Sequence, residues 1–207
     1  MNAPTRRART GERREQILEV ALRLFGERGA GNVTTRQIAE AVGISQPSLY
    51  AHFPSAEAIA DELCVRAFAA LQTRFAAMVA DVADPWQRID LLGRAYIEFG
   101  LDHPDMYRIA FMPTREMQPP PGMTFDLATC DPGLAAGLRA FADLGAAIVA
   151  VRGVNDDHTA LIAQAIWSAV HGVTSLLIAK PYFPWADRER LIGEVMAMAR
   201  GYLALRA

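Results

Sequence analysis

Cysteine is almost missing from this sequence: there are two in 207 residues, Cys64 and Cys130, far apart and in no metal-ligand spacing. That argues against a disulfide framework or a zinc module and leaves two packed thiols, or a thiol switch, in a reducing cytosol. Long apolar runs are absent too, since the most apolar stretch, residues 161–179, is broken by Gln164, Ser168, His171 and Ser175, and no membrane partner is expected. Residues 1–10 carry Arg6, Arg7 and Arg9 without an apolar core, which fits neither a signal peptide nor an anchor; the expected location is cytoplasmic. Catalytic signatures are lacking: there is no Glu-x-x-His, His-Glu-x-x-His, Gly-x-Ser-x-Gly or glycine-rich phosphate loop. His103, His158 and His171 are too scattered to form a ligand set, so no enzyme, cofactor or metal is expected. No alternating strand pattern is found, and the chain is read as all-α.

What is present is uneven. The formal net charge is −2, yet residues 1–55 hold eight arginines against five glutamates, whereas residues 56–207 hold thirteen basic against eighteen acidic residues. A basic front on an acidic body suits contact between that front and a polyanion.

Apolar residues recur at helical spacing along the chain. Ile17, Val20, Ala21, Leu24 and Phe25 make one stripe of a helix ending near Gly29. Thr34-Thr35-Arg36-Gln37 reads as a capping box that opens a short helix with Ile38, Ala39 and Val42 inward, and Gly43 supplies its left-handed stop. Ser45 then caps a second short helix from Gln46 to about His52, with Pro47 in its first turn. Two short helices joined by a glycine-containing turn form a helix-turn-helix, and the first helix supplies a third wall. Further helices are expected from Ser55 to about Val82, from Pro85, over residues 105–112, and at about 134–152, 156–179 and 186–205, about nine in all. Five prolines between Pro113 and Gly133 mark the principal loop.

Residues 34–57, TTRQIAEAVGISQPSLYAHFPSAE, resemble the DNA-binding signature of the tetracycline-repressor (TetR) family, and Gln46-Pro47-Ser48-Leu49-Tyr50-Ala51-His52 is especially similar to the recognition helix of the tetracycline repressors. The resemblance implies a DNA-binding helix-turn-helix domain over 1–55 and a larger helical effector-binding and dimerisation domain over 56–207. It also implies a repressor released from a palindromic operator by a small molecule. The chemistry agrees. Gln46 offers the donor and acceptor that suit adenine, Pro47 and Ser48 can meet a thymine methyl or a base edge, and Tyr50 and His52 lie nearer the phosphates. Thr35 and Arg36 are candidate phosphate contacts at a helix N-terminus, and Thr34 is a cap, a contact or both. Arg6, Arg7 and Arg9 form either a flexible arm for the minor groove or a tail with only long-range attraction. The family's usual lysine at the start of the following helix is replaced here by Ala56, followed by Glu57.

A twofold dimer would let two recognition helices read a palindrome. Its surface is expected on the last two long helices, from Leu161, Ala165, Ala169, Val173 and Leu177, with Ser168, Gly172 and Ser175 allowing close approach, and from Leu191, Val195, Met198 and Tyr202. Part of that surface must be protomer core. Trp167…His171-Gly172 and His103-Pro104…Tyr107 resemble, respectively, the Trp…His-Gly pattern and the His-Pro…Tyr segment of one TetR C-terminal subgroup. Tyr96, Phe99, His103, Tyr107, Phe111, Phe141, Trp167 and His171, with Met106 and Leu144, form a candidate wall for a neutral, largely apolar effector, each residue also readable as ordinary core.

Overall fold

The computed structural model describes residues 6–112 and 132–207. Cys130 and nearly all of the proline-rich stretch lie outside them. Among the described residues every regular element is helical: α1 (Arg6–Arg28), α2 (Thr35–Val42), α3 (Gln46–Tyr50), α4 (Ala56–Val79), α5 (Pro85–Asp102), α6 (Pro104–Phe111), α7 (Pro132–Arg152), α8 (Asp157–Ala179) and α9 (Arg188–Ala204). One 3-10 turn, Ala30–Asn32, follows α1.

Two compact units emerge. One takes in the described residues of Met1–Ala67 and Asp105–Ala135, the other Phe68–Pro104 and Ala136–Ala207, and α4 runs from the first into the second. In the first, α2 packs on α1 and α3 on α2, burying Ile17, Ala21, Leu24, Phe25, Ile38, Val42, Leu49 and Phe53. α6 belongs to this unit as well: Tyr107 is fully buried, and a Cβ at Gly26 would collide with the Asp105 carboxylate. In the second unit α5, α8 and α9 pack on one another around Ile89, Leu92, Phe99, Ile162, Ile166, Val170 and Ile192. α7 and α8 have the length and apolar composition of membrane spans, but α8 directs Ile162, Ile166, Val170 and Val173 into this helical core.

Local chemistry places most ends. The Thr34 hydroxyl accepts from Gln37 N (3.3 Å) while Gln37 Oε1 accepts from Thr34 N (2.8 Å), which is the expected capping box. Gly43 ends α2 at φ 76°, ψ 35°, a left-handed conformation that costs other residues a Cβ clash. Asp84 caps α5 ahead of Pro85, Asp156 and Thr159 form a capping box on α8, and Asp187 caps α9.

Some expectations are corrected. The segment with Arg6, Arg7 and Arg9 is the first part of α1 rather than an arm, because nothing between Arg6 and Thr10 interrupts a run of residues that tolerate helix. α3 stops at Tyr50, and Ala51 and His52 form a turn in which His52 N and Phe53 N both donate to Leu49 O. α4 ends at Val79 rather than Val82, where Arg88 Nη1 donates to the carbonyls of Val79 (3.4 Å) and Val82 (3.1 Å). α7 begins at Pro132, since proline is well suited to the first helical position.

Candidate nucleic-acid interface and aromatic cluster

The Ser45 side chain caps α3 by accepting from Ser48 N (3.3 Å), which fixes the entry to a helix of five residues. Leu49 and Phe53 anchor its inner side, with 0% and 2% exposure. Pro47, Ser48 and Tyr50 are consequently exposed, whereas Gln46 and His52 are half-buried. At the start of α2, Thr34 and Arg36 are exposed and Thr35 is half-buried.

Three of these residues are joined. Gln46 Nε2 donates to Thr35 Oγ1 (3.3 Å) and to the Tyr50 hydroxyl (3.2 Å), and the two hydroxyls lie 3.2 Å apart. The hydrogen bond from Thr35, then that from Gln46, lowers the Tyr50 phenol below its ordinary value. Spacing made Gln46 and Tyr50 neighbours on one helix face; it could not show that Thr35, on another helix, closes the group.

An ion-pair chain supports the first unit. Arg14 is bound to Glu62, Arg66 reaches both Glu62 (2.8 Å) and Glu15 (2.5 Å), and the Arg14 guanidinium lies 4.4 Å from the Phe53 ring centre. The Arg14 partner holds the Glu62 carboxyl below its usual range, and Arg66 does the same for Glu15. Arg14 therefore clamps α1 to α4 over the Phe53 anchor, and its charge is matched within the protein. Where the family's lysine is replaced by Ala56, the Ser55 hydroxyl accepts from Ala58 N (3.1 Å) and caps α4.

The aromatic residues separate into groups. In the second unit, the Trp167 indole N–H donates to the Tyr96 hydroxyl (3.2 Å), which lies 3.0 Å from His171 Nδ1. Phe141 meets Trp167 edge-on, with centroids 5.8 Å apart. Tyr96 is buried, Phe141 and His171 are half-buried, and Trp167 is 37% exposed. Burial lowers the His171 pKa and favours neutral imidazole. Phe99 is buried and pairs with the exposed His103 at the end of α5 (5.6 Å). Tyr107 and Phe111, 4.9 Å apart on α6, belong to the first unit.

Comparison with known proteins decides the family. Residues 17–63 match the model for bacterial regulatory proteins of the tetR family, and residues 89–199, more than half of the chain, match the tetracyclin repressor-like C-terminal domain. The chain belongs to the TetR family. Members of this family are transcription regulators rather than enzymes; they bind operator DNA and small-molecule effectors and function as dimers. The HTH-type transcriptional repressor KstR2 of Mycobacterium tuberculosis is 40% identical over 86 residues, 42% of this chain and 43% of KstR2. The nucleoid occlusion factor SlmA of Escherichia coli is 36% identical over 98 residues, 47% of this chain and 50% of SlmA. The chain thus matches about half the length of these curated relatives or less. Among solved structures, the fatty acid degradation regulator FadR of Bacillus halodurans superposes with a TM-score of 0.71 at 14% identity, covering 91% of this chain and 95% of FadR. The ketosteroid transcriptional regulator KstR2 of M. tuberculosis gives 0.64 at 23%, covering 91% and 93%. At these identities the structural matches establish the shared fold.

Proposed function

We propose that this TetR-family protein is a cytoplasmic repressor that leaves a palindromic operator when a small, largely apolar ligand binds. Residues 1–55 read DNA and residues 56–207 bind the effector and dimerise. The observation that carries this reading is α3, whose Leu49 and Phe53 sides are sealed inward while Pro47, Ser48 and Tyr50 remain exposed beside Gln46. A short helix displayed in that manner fits a major groove, with Gln46, Pro47 and Ser48 toward base edges and Thr34, Thr35, Arg36, Tyr50 and His52 toward phosphates.

The effector site is assigned to the second unit around Tyr96, Phe99, His103, Phe141, Trp167 and His171, whose aromatic faces and few neutral polar groups suit an uncharged apolar molecule. The candidates Tyr107 and Phe111 are kept as residues of α6. FadR and KstR2 are named for fatty acids and ketosteroids, both largely apolar, which supports this ligand class. Dimerisation is assigned to α8 and α9, where Leu161, Leu176 and Met198 are 53%, 49% and 62% exposed; Val173, at 7%, goes to the protomer core instead. The ligand acts by favouring an arrangement of the two recognition helices that no longer matches successive half-sites.

Selection of bound fragments from the source genome, followed by screening apolar metabolites for release, tests the reading. A palindrome whose half-sites are about one helical turn apart is expected, with release by at least one such compound. Absence of any selected fragment at modest salt would overturn the regulator reading. Tighter binding on ligand addition would replace release with corepression.

A further inference from the structure

We infer that Thr35 and Tyr50 are positioning residues that hold the Gln46 side chain so that its carbonyl oxygen, rather than its NH2 group, faces the DNA, and that α3 therefore selects an amino-bearing base at one position of each half-site. This rests on the proposed operator binding and refines it.

Three contacts close a ring: Gln46 Nε2 to Thr35 Oγ1 at 3.3 Å, Gln46 Nε2 to the Tyr50 hydroxyl at 3.2 Å, and hydroxyl to hydroxyl at 3.2 Å. With the amide nitrogen inside, the ring has four hydrogens available, two on the amide and one on each hydroxyl, and three bonds use three of them. The fourth sits on a hydroxyl and points outward. Tyr50 is 48% exposed, so its O–H is placed to donate to a phosphate oxygen. With the amide reversed, only two hydroxyl hydrogens would serve three contacts, and one pair of oxygens would face each other with no proton between them. The observed triangle therefore favours the nitrogen-in orientation.

Chemistry at the base edge follows. An amide with its nitrogen satisfied by the protein presents an acceptor, and the major-groove partners of an acceptor are the N6 amino group of adenine and the N4 amino group of cytosine. Guanine and thymine offer oxygen acceptors there and would repel it. A free glutamine pairs with adenine through both of its groups; a ringed Gln46 distinguishes amino from keto bases and tolerates cytosine where a free glutamine would not. The ring also links base reading to a backbone contact, because the hydroxyl that orients the amide is the one turned to the phosphate.

The test uses the full-length dimer and its selected operator, with all four bases placed in turn at each half-site position. Wild-type protein should prefer adenine and cytosine over guanine and thymine by about tenfold or more at one position, and Gln46→Ala should abolish that preference. Thr35→Val, which keeps the side-chain shape and removes the hydroxyl, should collapse the ratio to about threefold or less, and Thr35→Ser should restore it. Tyr50→Phe should lower the ratio and also weaken binding to every sequence. A Gln46-dependent preference for guanine or thymine would overturn the inference, as would adenine chosen alone. So would a Thr35→Val protein that loses affinity equally for all four bases. None of these three results touches the regulator reading, which fails only if wild-type protein selects no operator.

Discussion

The helices that carry Gln46 and those that carry His171 are held in place by different means. α2 and α3 have eight and five residues, too few to persist alone, and their ends are set by short-range polar devices: the Thr34–Gln37 box, the left-handed Gly43 and the Ser45 cap. α8 and α9 have 23 and 17 residues and are held by area, laid against α5 and tied across its surface by Arg200 to Asp90 (2.5 Å) and Arg94 to Glu189 (3.0 Å). Short helices fixed by a few anchors and caps depend on each of them, whereas long helices laid along one another spread their stability over many contacts. Equal chemical changes should therefore have unequal consequences in the two.

The largest expected effect is Leu49→Ala, which removes a fully buried side chain and should cost about 3 kcal/mol. Because Trp86, Trp167 and Trp185 all lie in the second unit, the variant should show an early transition by circular dichroism in urea while tryptophan fluorescence keeps its midpoint. Coincident transitions would show that the units unfold as one. Next comes Gly43→Ala, which places a side chain at φ 76° and should cost about 1 kcal/mol, read from the same early transition. Thr34→Ala should cost a similar or smaller amount, about 1 kcal/mol, and weaken operator binding in fluorescence anisotropy. The matching loss of the α9 cap, Asp187→Ala, should lower only the second transition.

The pH response sharpens the contrast further. Burial depresses the folded-state pKa of His171 below its ordinary value of 6.5, so the unfolded chain binds the proton more readily. That contribution to stability is complete above about pH 6.5 and is lost as pH falls toward the lower folded value. His171→Gln should flatten this dependence in the fluorescence-detected transition and leave the early one unchanged. The smallest effect belongs to Ala56→Lys: operator affinity should rise a few-fold for all sequences, and the slope of log affinity against log salt should steepen by about 0.9. An unchanged slope would mean that this end of α4 does not approach the backbone.

These differences also explain what could be read in advance. The capping box at Thr34, the stop at Gly43, the Ser45 cap and the helix start at Pro85 are signals contained within a few residues, and each is found where spacing placed it. The end of α4 was not legible because Arg88, in the first turn of the next helix, takes up the carbonyls of Val79 and Val82. Residue type marks the aromatic candidates, and type does not tell which helices meet. Tyr96, Phe141, Trp167 and His171 gather because α5, α7 and α8 bring residues up to 75 positions apart into hydrogen-bond or ring contact, while Tyr107 and Phe111 go with the other unit. Likewise, the importance of Arg14 rests on Glu62, 48 residues away, and periodicity carries no record of that distance.

α6 has a consequence for how such proteins can be recombined. It meets α1 at Gly26, although α2 to α5 intervene in the chain, and its Asp105 occupies the space where any larger residue at that position would need to go. The DNA-reading unit is thus not a detachable cassette. A fragment ending at Ala67, fused to a foreign sensor, would lack α6 and leave Gly26 without the Asp105 side chain that now lies against it.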